Sequence, residues 1–117
     1  MNVLMILNDQ PYGTERTYNG LRLAVNLLSK VQDASVTVFL MGDAVAAAKT
    51  GQQTPTGYYN LERMAKGVLT RNGRILLCGT CMDARGLKAE ELVEGSCRST
   101  MDELTELTAA AEKVLVF

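Results

Sequence analysis

Four short runs in this chain are apolar almost throughout: Val3–Leu7, Ser35–Met41, Arg74–Cys78 and Lys113–Phe117. A strand with one wet face alternates polar and apolar residues, so runs without a polar beat must be covered on both faces. Between them lie stretches of helical spacing. Tyr18, Leu21, Val25 and Leu28 form one stripe, and Leu61, Met64, Ala65, Val68 and Leu69 another. Asn72-Gly73 stops the second helix. Asp43 is expected to cap a short helix from Ala44 to Lys49, with Gly51 just past its end. A further short helix is predicted around Lys88–Val93, then a brief strand near Cys97. Ser99 and Thr100, with Asp102 and Glu103 three residues on, read as overlapping capping boxes for a helix running to about Ala111.

The order β-α-β-α-α-β-α-(β)-α-β predicts one α/β domain over residues 1–117, a mostly parallel sheet of about five strands with helices on both faces. Chemistry in such sheets gathers outside the carboxyl ends of the strands. Three segments converge there: the turn at 8–14, the turn Met41–Asp43 and the segment Cys78–Gly86. The polar loop at 50–58 is expected to fold over that edge or pack against a neighbouring subunit.

Composition removes several functions. The net charge is −1 with acids and bases interspersed, so no basic block can neutralise a nucleic-acid backbone. The apolar opening Met1–Leu7 lacks a basic flank and breaks at Asn8-Asp9-Gln10-Pro11, too short for a signal peptide or membrane span. Three cysteines, an odd count, do not read as a secreted disulfide framework. A cytoplasmic protein with reduced thiols is expected. With 47% hydrophobic residues in a chain this small, part of the apolar surplus is expected to lie in a subunit interface.

There is no histidine, which excludes a Ser-His-Asp triad, a Cys-His pair and a His-ligated zinc from this chain alone. Glycine-rich phosphate loops are missing, and the acids Glu90, Glu91 and Glu94 read as a solvated face. No metal or cofactor is called for. What remains is Cys78-Gly-Thr-Cys81 at the end of the third strand. It reads as two buried cysteines packing as small hydrophobes, or as a reactive pair. The reactive reading gains from Arg85 nearby and from exposed amides around Gly79–Asp83, which can stabilise negative sulfur; Asp83 opposes it. Tyr12, Gly13, Thr14, Met41, Gly79 and Thr80 are expected to line the same rim, and Cys97 to sit in the core or the site wall.

Taken together, these residues resemble the DsrE/DsrF/TusD-like sulfur-transfer family, most closely its YchN-like branch. The resemblance is carried by Pro11-Tyr-Gly-Thr-Glu15 leading into Asn19–Ala24, by Val38–Val45 and by Gly57-Tyr-Tyr-Asn60. The stretch Leu77-Cys-Gly-Thr-Cys-Met-Asp-Ala-Arg-Gly-Leu87 is the most diagnostic, and Glu112–Phe117 fits the ending. It implies a parallel-sheet fold, ring-like trimers or hexamers, and a cysteine at Cys78 that carries persulfide sulfur between donor and acceptor proteins. It leaves open which of Cys78 and Cys81 is the carrier. Two other readings stand beside this one. A dithiol–disulfide redox protein is suggested by the C-x-x-C, although the Trp and later Pro of thioredoxin have no counterpart here. The other is a non-catalytic oligomeric module that binds a small ligand.

Overall fold

The strand Asn2–Leu7 (β1) lies inside the sheet, in register with Ser35–Leu40 (β2) on one side and Lys113–Val116 (β5) on the other. Val3, Leu4, Met5 and Leu7 are at most 1% exposed, which is why this run carries no polar residue to offer solvent. Arg74–Cys78 (β3) pairs with β2, and the short Cys97–Ser99 (β4) pairs with β3. The sheet order is β4-β3-β2-β1-β5, parallel at every pairing. This computed structural model describes residues 1–56 and 58–117.

The helices are Arg16–Lys30 (α1), Leu61–Leu69 (α2), Gly79–Ala84 (α3) and Met101–Ala110 (α4). α1 packs on α2, Val25 lying beside Gly67. Gly20 lets α1 approach β1: a Cβ there would stand 2.5 Å from a methyl of Leu7. The chain steps from β1 to β4 in one direction, then crosses back to set β5 beside β1. With right-handed crossovers, that reversal places α4 on the opposite face from α1 and α2. Within α4 only Leu104 is buried, and Val114 and Val116 of β5 remain exposed. The predicted α/β fold with a single five-stranded parallel sheet is therefore the observed one.

Local expectations needed correction in three places. The second strand ends at Leu40, and Met41 instead begins a turn. Gly42–Ala48 is a 3-10 helix, without a side-chain cap from Asp43. Its Ala44, Val45, Ala47 and Ala48 are wholly buried, and the tight winding seats these small side chains against the sheet. The helix expected over Lys88–Val93 contracts to one 3-10 turn, Ala89–Glu91. Leu92 is pulled into an extended bridge with Lys49, closed by Val93 N–H to Ala48 O at 2.8 Å and Thr50 N–H to Glu91 O at 2.9 Å. Those two bonds satisfy backbone that a short exposed helix would leave to water. The 50–58 loop does fold towards the first turn, through Gln52; Gly57 lies outside the described residues.

Candidate functional site

β3 delivers its last residue to the carboxyl rim of the sheet, and α3 begins at once with Gly79. Cys78 therefore stands at the N-cap of α3, where a Ser or Asp oxygen often accepts a main-chain bond. Here the sulfur takes that role: Cys78 Sγ accepts from Cys81 N–H at 3.4 Å and lies 3.3 Å from Thr80 Oγ1. Cys81 Sγ in turn accepts from Gly42 N–H at 3.2 Å. Gly42 holds φ +56, a left-handed value suited to glycine, and thereby aims its amide at the sulfur.

Two arginine–aspartate pairs flank the thiols. Arg85 donates to Asp43 at 2.8 Å and to the Cys81 carbonyl at 3.0 Å, so it ties α3 to the turn after β2. Arg98, on β4, grips Asp83 with two bonds of 2.7 and 2.9 Å. Its guanidinium lies over Gly79, with Cζ only 2.8 Å from where a Cβ would be. Nothing but glycine leaves that space free.

These contacts separate the two sulfurs chemically. Burial pushes the Cys78 thiol up, but the Cys81 thiol, the Thr80 hydroxyl and the amides of both residues hydrogen-bond to its anion and leave it below its ordinary value. Cys81 is pushed up, by burial first and then by its bond to the Cys78 sulfur; the Gly42 amide and Arg85 offset this only in part. The surroundings thus favour negative charge on the Cys78 sulfur over the Cys81 sulfur. Asp83, expected to oppose the thiolate, has its charge matched by Arg98, which holds its carboxyl below the usual range. Arg98 also feels the Cys78 charge directly.

Access is narrow. Cys78 is only 7% exposed, Cys81 is half-buried and Thr80 between them is exposed. Met41 sits half-buried beside this rim, next to Gly42. Cys97 does not belong to it. Its place in the core or wall is overturned: it opens β4 opposite Leu76, two residues short of the level of Cys78, and is exposed. Tyr12, Gly13 and Thr14 gather elsewhere, in a cleft of about 490 Å³ with Glu15, Tyr18 and Tyr59. This cleft and the chemistry are therefore separate places. Sequence reasoning missed Gly42 and Arg98 as partners of the thiols. No local spacing announces Arg98, whose position follows only from the pairing of Leu77 with it across β3 and β4.

No group of three His, Cys, Asp or Glu side chains converges among the described residues, and no helix there is long and apolar enough to cross a membrane.

A parallel α/β domain with a hydrogen-bonded cysteine capping the helix after its third strand defines a class of thiol protein. The chain belongs to the DsrE/DsrF-like family, whose model matches residues 1–117. Among its relatives is Protein YchN of Escherichia coli, 37% identical over 115 residues that cover 98% of this chain and 97% of that one. The MJ0989 protein of Methanocaldococcus jannaschii is 33% identical over 117 residues, the whole of both chains. The crystal structure of the ychN protein from E. coli superposes with a TM-score of 0.94, covering 100% of this chain and 99% of the other.

Proposed function

We propose that this protein is a cysteine-based sulfur carrier, with Cys78 as the residue that takes up sulfane sulfur and Cys81 as its assistant. The observation that carries the reading is the pair of groups bonded to Cys78 Sγ, the Cys81 amide at 3.4 Å and the Thr80 hydroxyl at 3.3 Å. Those groups favour the thiolate, which is the attacking form in sulfur exchange. Membership of a family associated with sulfur relay supports the same reading.

In the forward step the Cys78 thiolate attacks the outer sulfur of a donor persulfide. A new S–S bond forms on Cys78, the donor's S–S bond breaks, and the donor leaves as a thiolate. An acceptor thiolate then attacks the outer sulfur and releases Cys78 unchanged in oxidation state. Alternatively, Cys81 attacks Cys78 Sγ itself, which forms the Cys78–Cys81 disulfide and expels hydrosulfide. A second, redox reading rests on this proximity, because Cys81 already hydrogen-bonds to the Cys78 sulfur. That route needs an external thiol reductant to restore the pair.

Narrow access at Cys78 suits transfer between proteins better than exchange with bulk solvent. Assembly into trimers or hexamers belongs to the same proposal, as does a reducing, cytoplasmic setting for three free cysteines. The exposed Val114 and Val116 on the β5 edge support the assembly, which sedimentation can check.

The test incubates reduced protein with inorganic polysulfide and reads intact mass, with Cys78→Ser and Cys81→Ser in parallel. A gain of one sulfur atom, kept by Cys81→Ser and lost by Cys78→Ser, is expected. Loss of two hydrogens without added sulfur would favour the redox reading, and an unchanged mass in every sample would leave only a binding module.

A further inference from the structure

All four tyrosines of the chain, Tyr12, Tyr18, Tyr58 and Tyr59, meet in one place, away from the thiols. Tyr18 and Tyr59 stand edge to face with ring centroids 4.6 Å apart. Together with Tyr12 they wall the cleft of about 490 Å³, a volume within the range of small-molecule sites. Among the described residues, the only charged side chain in its lining is Glu15. We propose that this cleft binds an alkylated ammonium group, with ring faces around the cation and the Glu15 carboxylate beside it.

Four observations support a built site over a chance gathering of rings. Tyr12 is fixed at its hydroxyl, which donates to Gln52 and accepts from Leu61 N–H at 3.2 Å. Gln52 is itself anchored, its amide donating to the carbonyls of Ala47 at 2.9 Å and Lys49 at 2.8 Å. Tyr59 holds φ +43, a conformation uncommon for a bulky residue and one that neighbouring structure must impose. Glu15, beside these rings, starts α1 without spending its carboxylate on a main-chain cap. Finally, a cation already uses one of these rings: the Arg22 guanidinium lies 5.9 Å from the Tyr18 centroid. Rings held in place before binding lose little freedom when a ligand arrives.

A cation is favoured over an anion by the ring quadrupoles and by Glu15, and an alkylated ammonium over a bare one because it sheds water more readily. A trimethylammonium head is the simplest member of the class.

The chain has no Trp, three of its four Tyr line this cleft and Tyr58 lies beside Tyr59, so intrinsic tyrosine fluorescence reports on the cleft and its margin. The intact protein is titrated with choline chloride, against sodium chloride at equal ionic strength. The neutral analogue in which a tert-butyl group replaces trimethylammonium is titrated in parallel. A saturable change with choline is expected, with the neutral analogue about tenfold weaker or more. Tyr59→Leu and Glu15→Gln, both at exposed side chains and checked for folding by circular dichroism, should each weaken choline several-fold. No saturable response at millimolar choline, equal affinity for the neutral analogue, or unchanged affinity in both variants would overturn the proposal.

Discussion

The thiol rim and the tyrosine cleft both lie just past strand ends, yet they are held in opposite ways. At the rim, the bonds to Cys78 come from residues two and three positions along the same segment. In the cleft, Tyr12 is fixed by groups 40 and 49 residues away. Cys78 itself is buried, and its bonds are set by the first turn of a short helix. The cleft is open, and its geometry is set by side chains that bridge two loops. A locally built site keeps its shape when one side chain changes, although its chemistry shifts. A site bridged over long separations loses shape first.

The largest stability difference should therefore come from the cleft. Tyr12→Phe removes a hydroxyl that serves Gln52 and leaves the Leu61 amide without its acceptor, in a residue that is otherwise wholly buried. An orphaned buried donor costs about 1–3 kcal/mol, to be read as a lower urea midpoint with unchanged slope. A midpoint equal to that of the parent protein would show that the bridge between the loops does not hold the cleft.

At the rim the readout changes from stability to reactivity. Cys81→Ala removes the strongest of the groups that favour the Cys78 thiolate. The sign follows directly: Cys78 sits below its ordinary value, so losing a donor raises it. The rate of alkylation by iodoacetamide should then climb at higher pH and be slower near neutrality, in protein that is still folded. Thr80→Val should move the profile the same way by less, since its hydroxyl ranks next and is exposed to competing water. A profile that moves to lower pH in either variant would show that these groups do not hold the Cys78 thiol below its ordinary value.

Sequence patterns revealed much of the rim and little of the cleft. The apolar runs announced four strands; in β1, β2 and β3 the reason is burial on both faces, whereas Val114 and Val116 of β5 are apolar yet exposed. Cys78 and Cys81 were legible as a pair, since one helical turn brings i and i+3 together. What the pattern could not show is which neighbours would be recruited. Gly42 reaches Cys81 from another strand, and Tyr12, Gly13 and Thr14, expected beside the thiols, turn towards Tyr59. Arg85 was correctly placed near the thiols but for a different partner, because Asp43, not needed as a cap, takes its charge. Periodicity encodes which face of an element is buried. It carries no information on which two loops meet above the sheet.

The smallest expected effect separates charge from packing at the rim. Arg98 and Asp83 are both exposed, so removing either charge should barely alter stability. Their effects on Cys78 should have opposite signs. Arg98→Gln leaves the Asp83 carboxylate unmatched beside the sulfur, which disfavours the thiolate and moves the alkylation profile to higher pH. Asp83→Asn leaves the Arg98 cation unmatched and moves it to lower pH. Both shifts should shrink as salt is raised, because the charges act through solvent over a distance that ions screen. A shift of the same sign in both variants would mean that the pair matters for the seat of the guanidinium over Gly79, where only a missing Cβ makes room, and not for its charge. Gly79→Ala decides between these, since it displaces the guanidinium while keeping both charges: a change matching Arg98→Gln would assign the effect to position.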